Sequence, residues 1–100
     1  MAKSKVDLAL QQAVDAYSAG KVKDAHRLLK SILQSQPRHP DANHNMGILV
    51  SGTGKLDDAL PFFKKALEAK PSVAQFWYSY IDILINLGKL SDARAVFNQA

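Results

Sequence analysis

The chain has 100 residues, of which 47% are hydrophobic and 22% charged, a balance that suits one folded domain and argues against disorder. It contains no cysteine, which excludes disulfide frameworks, thiolate zinc sites and cysteine nucleophiles. Thirteen basic residues against nine acidic ones give a net charge of +4, but the basic residues are dispersed at helical spacing, which reads as a solvated face before a nucleic-acid patch.

The predicted elements are all helical. Residues 1–5 read as an N-terminal tail, whose two lysines have no apolar run behind them and so do not make a signal peptide. Between Lys5 and Ala19 the apolar residues Val6, Leu8, Ala9, Leu10, Ala13, Val14, Ala16 and Tyr17 cluster at three- and four-residue steps, the signature of an amphipathic helix that Gly20 ends. A second helix is predicted from about Lys23 to Gln34, with Ala25, Leu28, Leu29, Ile32 and Leu33 on its stripe, and Pro37 and Pro40 bracket the turn that follows. The third helix is predicted from about Asp41 to Ser51 and the fourth from near Asp57, with Pro61 in its first turn or just after. The fifth is predicted from about Val73 to Leu87, and the sixth begins at Ser91, read as its N-cap, and is cut off at Ala100. No apolar run is long enough to span a bilayer, and the protein reads as soluble and cytoplasmic, without membrane association.

The elements repeat. Gly20, Gly54 and Gly88 are 34 residues apart, and so are Lys21, Lys55 and Lys89; Asp24, Asp58 and Asp92; Ala25, Ala59 and Ala93; and Leu29, Phe63 and Phe97. Pro37 and Pro71 keep the same step. Six series in one register are hard to produce by chance, and a period of 34 belongs to helix–turn–helix repeats. From Val6 to Ala100 the chain resembles the tetratricopeptide repeat family: Trp77, Tyr80-Ile81, Leu84, Ala93 and Phe97 match the family pattern in repeat three; Asn43, Met46-Gly47, Val50, Ala59, Phe63 and Pro71 in repeat two; Ala9, Gln12-Ala13, Ala16, Ala25, Leu29 and Pro37 in repeat one. The resemblance implies an all-α, right-handed solenoid of three hairpins, with repeats at 6–39, 40–73 and 74–100, the last incomplete. The small residues then have a mechanical role, in which Ala25, Ala59 and Ala93 allow close helix approach and Ala13 and Gly47 do so from the opposite helix.

Several residues look chemical without being so. Ser51-Gly52-Thr53-Gly54-Lys55 ends like a phosphate loop, but Leu49 stands where the first glycine should be, Leu56 follows the lysine, and no strand precedes. His39 and His44 straddle Pro40 with no third strong ligand near, which reads as a polar turn instead of a metal site. No serine has a periodic His and Asp pair, so the chain reads as a non-enzyme without cofactor or metal. Phe76, Trp77, Tyr78 and Tyr80 read as core plus one groove residue in preference to a base-stacking platform.

The family's concave groove, carried over position by position, falls on Asp7, Leu10, Gln11, Val14, Tyr17 and Ser18 in repeat one. In repeat two it falls on Asp41, His44, Asn45, Ile48 and Ser51, and in repeat three on Gln75, Tyr78, Ser79, Asp82, Ile85 and Asn86. This surface has three carboxylates and no lysine or arginine. Chaperone-tail adaptors of the family clamp an acidic C-terminus with cations; the matching positions here are Leu10, Val14, Asn45, Gln75 and Ser79, and without cations the site cannot replace the water lost by two carboxylates. The run from Pro40 to Gly47 is similar, more loosely, to repeats that precede sugar-modifying transferases, where an amide ladder holds substrate backbone; here it would be Gln11, Asn45 and Ser79. The expected role is a scaffold binding a protein or peptide segment, extended or helical, with little charge or a basic character. The alternative is the N-terminal recognition part of a larger enzyme such as a glycosyltransferase; nucleic-acid binding is a third class.

The last expectation concerns the chain end. The third proline of its series would fall beyond Ala100, so the last hairpin reads as uncapped and the chain as a fragment. Leu84, Leu87, Val96 and Phe97 are then expected to be partly exposed, favouring weak homo-oligomers.

Overall fold

In the computed structural model, which describes residues 4–100, there are six α-helices and no strand among the described residues: α1 (Lys5–Ser18), α2 (Val22–Ser35), α3 (Pro40–Gly52), α4 (Leu56–Ala69), α5 (Ala74–Asn86) and α6 (Leu90–Gln99). Each odd helix pairs with the next to make a hairpin, and the three hairpins stack in order, α2 against α3 and α4 against α5. The result is the expected all-α solenoid of helix–turn–helix units. Most of the predicted tail, residues 1–3, lies outside the described residues; Ser4 caps α1 by accepting from the Asp7 amide at 3.0 Å, so the helix begins one residue inside that tail.

The 34-residue period is a period in backbone geometry. Gly20, Gly54 and Gly88 have φ of 78°, 86° and 76°, a left-handed conformation that costs a residue with a Cβ on the order of 1–2 kcal/mol. Each reverses the chain between the two helices of its hairpin. The lysine after each glycine is the N-cap of the second helix, with φ of −88°, −90° and −89°, and offers no side-chain cap. The aspartate three residues on, Asp24, Asp58 or Asp92, sits in the first turn instead, where a carboxylate meets the positive end of the helix dipole. Ser91 is therefore not the cap expected of it: α6 starts one residue earlier, because Lys89 repeats the backbone of Lys21 and Lys55. Pro61 lies just after the first turn of α4, where its missing N–H forgoes one intrahelical bond.

Between hairpins a second device recurs. Asn43, 1% exposed, donates from Nδ2 to the carbonyls of Pro37 and His39, both at 3.0 Å. The residue 34 positions on is Trp77, whose Nε1–H donates to the Pro71 carbonyl at 2.7 Å. Two chemically different side chains at one repeat position thus close the same inter-repeat turn. His39 adds the N-cap of α3, its Nδ1 accepting from the Ala42 amide at 3.1 Å, with Pro40 at the start of the helix where its missing N–H costs nothing.

The core runs along the stack in three patches. Ala13, Ala25, Leu29, Ile32, Ala42, Met46 and Leu49 pack the first two hairpins; Ala59, Phe63 and Ile83, then Ala66, Leu67 and Phe76, join the second to the third. The small positions set how close the helices come. A Cβ on Gly47 would lie 2.8 Å from Cε1 of Phe63, so the buried ring of α4 rests directly on the backbone of α3. The equivalent pairs are Ala13 with Leu29 in repeat one and Ile81 with Phe97 in repeat three. The pair does not behave alike in every repeat: Leu29 and Phe63 are buried, whereas Phe97 is 67% exposed and borders open clefts with Ile81. Leu84 does not belong with it, being 2% exposed and part of the core, and Leu87 and Val96 are half-buried. The exposed large hydrophobic residues of the last hairpin are Tyr78, Ile85, Leu90 and Phe97, of which the sequence named only Phe97 for the end surface.

Candidate functional site

Helices α1, α3 and α5 lie side by side, and their repeat register places equivalent residues in rows across them. One row is Val14, Ile48 and Asp82; the next is Gln11, Asn45 and Ser79; a third is Leu10, His44 and Tyr78. Three clefts follow one another along this face. The first, between α1 and α3, has a volume of about 220 Å³ and is lined by Val14, Tyr17, Ser18, Asn45 and Ile48, with Ala13 and Leu29 at its base. That exceeds the roughly 150 Å³ of an engineered cavity that takes up benzene, so one large apolar side chain fits. The second, between α3 and α5, is lined by Ile48, Ser51, Leu56, Phe63, Ser79, Asp82 and Asn86 among others. The third, at α5 and α6, is lined by Gln75, Tyr78, Ser79, Ile81, Asp82, Ile85 and Phe97. Ile48 belongs to the first two clefts and Ser79 and Asp82 to the last two, so the three make one continuous groove.

Of the seventeen groove positions expected from the sequence, the structure brings twelve together along the clefts: Val14, Tyr17, Ser18, Asn45, Ile48, Ser51, Gln75, Tyr78, Ser79, Asp82, Ile85 and Asn86. Leu10 is half-buried against the first core patch, and Gln11 is exposed but bonded within its own helix, Nε2 to Asp15 at 3.0 Å. His44 does not line the groove. It is 7% exposed, wedged between Phe63 (centroids 5.5 Å) and Phe76 (4.9 Å), and its Nε2 lies 2.7 Å from Ser79 Oγ. Burial pushes its pKa below the usual 6.5, against a smaller upward pull from Asp41. His44 is thus a neutral link between repeats two and three. Tyr78, in the same row, is 66% exposed because no equivalent ring pair closes over it. The sequence missed the contributions of Leu29, Leu56 and Phe63, which reach the groove floor from the second helices; their apolar stripe positions gave only the core signal.

The amide ladder is mostly committed inside the protein. Gln11 is held by Asp15, and Ser79 is held by His44 and by Gln75, whose Nε2 donates to Oγ at 3.3 Å. Asn45, half-buried in the first cleft, makes no such bond among the described residues and keeps its amide for an incoming group.

Charge is sorted between the helices. Helices α1, α3 and α5 hold one lysine, Lys5, against four aspartates, Asp7, Asp15, Asp41 and Asp82, for a net of −3. The remaining residues hold twelve bases against five acids, a net of +7. No lysine or arginine lines any of the three clefts, and Asp82 is the one carboxylate that does. Its only hydrogen bond among the described residues comes from Asn86 Nδ2, at 3.4 Å. Among the described residues the one ion pair is Arg27–Asp24, at 4.0 Å on the surface of α2, and no three His, Asp or Glu side chains gather as a metal site.

Two descriptions of the tetratricopeptide repeat match the chain, one over residues 10–72 and one over residues 51–100. The chain belongs to the tetratricopeptide repeat family. Among solved structures, MamA from Desulfovibrio magneticus RS-1 is 22% identical with a TM-score of 0.82, over 96% of this chain and 54% of that one. A point mutant of the Thermobaculum terrenum O-GlcNAc transferase is 21% identical with a TM-score of 0.84, over 97% of this chain and 19% of that one. The Yersinia enterocolitica type III secretion translocator chaperone SycD is 17% identical with a TM-score of 0.81, over 95% of this chain and 72% of that one. The chain thus spans about half the length of the MamA structure and a fifth of the transferase, and at these identities the likeness is one of fold. No curated protein sequence matches it. Repeats of this family are typically non-catalytic interaction modules, and membership supports a general role in protein–protein interaction. Among the described residues no helix is long and apolar enough to cross a membrane.

Proposed function

We propose that the groove across α1, α3 and α5 holds a protein or peptide segment, uncharged or basic in character, and that this is how the scaffold engages its partner. The observation that carries the reading is the apolar cleft between α1 and α3, with the free amide of Asn45 beside it: an apolar anchor site next to a group that both donates to and accepts from a peptide backbone. An acidic chaperone tail is not the partner, since no cation lines the groove to receive its carboxylates. The setting is the cytoplasm, no cofactor takes part, and nucleic acid and membrane are not partners. The exposed Ile85, Leu90 and Phe97 support weak self-association beside this role.

The test uses Ile48→Glu, because Ile48 is exposed and shared by two clefts. Proteins captured from extract by the parent and lost by this variant, at unchanged helicity by circular dichroism, support the groove. Equal capture by both refutes it. A second reading, the recognition segment of a larger glycosyltransferase, is supported by the shared fold with the transferase and by Asn45, but two of its three ladder positions are already bonded within the domain.

A further inference from the structure

Resting on the groove reading, we infer that the occupant is a short extended segment carrying a large apolar side chain for the cleft between α1 and α3 and, about four residues away, a lysine or arginine for Asp82. Three observations carry it. The row Val14, Ile48, Asp82 crosses the groove floor at one repeat position, and its character changes from apolar to acidic between α3 and α5. The Asp82 carboxylate opens into two clefts and makes no ion pair among the described residues, Arg94 lining a neighbouring cleft with Ile81, Ile85 and Phe97, so a positive charge brought to Asp82 is attracted to an unpaired carboxylate. The three groove helices sum to −3 within a chain of net +4, and of their four aspartates Asp82 is the one that lines the clefts, so it is the complement for a basic group at short range, where the lysines of the other helices are screened over about 8 Å at physiological salt.

The spacing follows from helix packing. Packed helices lie about 8–10 Å apart, so the path from the cleft midway between α1 and α3 to α5 is on the order of 12–15 Å, which about four residues of extended chain cover at roughly 3.3 Å each. An extended chain also presents its backbone to Asn45 on the way, whereas a helix keeps its amides to itself.

The probes are synthetic nonapeptides of a glycine–serine background with one leucine and, four residues away, one arginine, made in both chain directions, with arginine replaced by glutamine or glutamate in matched controls. Binding is followed by chemical-shift perturbation of the isotope-labelled 100-residue chain. One chain direction of the leucine–arginine peptide is expected to shift the amides of Val14, Ile48 and Asp82. It should bind three- to fivefold more tightly than its glutamine counterpart, the contribution of a partly exposed ion pair, and more tightly still than the glutamate one. The preference should vanish at 0.5 M salt, and Asp82→Lys, at an exposed position, should reverse it. Peptides that move the groove amides with equal affinity whatever residue replaces the arginine, or a preference that survives Asp82→Lys, overturn the assignment of Asp82 and leave the groove in place. Peptides that leave every amide of α1, α3 and α5 unmoved overturn the groove reading itself.

Discussion

Gly47→Ala sets two effects of opposite sign against each other. Gly47 lies inside α3, and alanine is the better helix former by about 0.8–1 kcal/mol. The added Cβ, however, falls 2.8, 2.9 and 3.0 Å from Cε1, Cδ1 and Cζ of Phe63. Carbon atoms settle at about 3.5–4.0 Å, so the ring or the helix must retreat by at least about 0.7 Å. Rotating the ring brings no relief, because a whole edge faces the new atom, and Phe63 is itself held against His44 and the core of repeat three. Overpacking of this kind costs about 1–3 kcal/mol, so the clash outweighs the propensity gain and the net loss is about 1 kcal/mol. For a domain of this size that lowers Tm by roughly 4–8 °C. Repeat one shows the remedy, since its equivalent pair is Ala13 with Leu29, both buried. Phe63→Leu alone leaves a void beside Gly47, but in the Gly47→Ala background it recreates the repeat-one pair. A double-mutant cycle followed by thermal and urea unfolding should therefore show a favourable coupling on the order of 1 kcal/mol. A Gly47→Ala variant that melts at or above the parent, or a cycle that is additive, refutes this account of the interface.

Two further outcomes follow from the links between repeats. In the unfolded chain His44 takes up its proton around pH 6.5, whereas burial in the folded protein resists it; stability is therefore fully present above that pH and declines as pH falls from there through the lower folded value, a decline that urea midpoints between pH 7.5 and 5 should record and that His44→Gln should reduce. Asn43→Ala strips the Pro37 carbonyl of its side-chain donor at a buried turn and should cost about 1–3 kcal/mol in urea unfolding, while a loss under about 0.5 kcal/mol would mean that water replaces the bond freely.

The sequence by itself determined the number of hairpins, their boundaries to within a residue or two, and the positions of the turns. These features are local. A glycine at positive φ, a proline without an N–H and a first-turn aspartate act within a few residues of themselves, so their period of 34 reads directly as a period in backbone. It also determined which small residues, Ala13, Ala25, Gly47 and Ala59, permit close helix approach, because those positions recur in register with the large ones they face. What only the tertiary structure decided is what one register position does in different repeats. Leu10, His44 and Tyr78 are equivalent in sequence, yet the first packs on the core, the second is buried between two aromatic rings and bonded to Ser79, and the third stands in solvent. Leu84 is core and Phe97 is surface although both looked alike at the end of the stack, since Leu84 faces inward from α5 while Phe97 borders open clefts on α6. Lys89, and not Ser91, caps α6 because the preceding glycine turn fixes where the helix starts, whatever side chain would cap it better. The sequence already put three carboxylates and no base on the groove positions, but only the structure decided that Asp82 alone of them lines the clefts, because burial and access depend on neighbours that are distant along the chain.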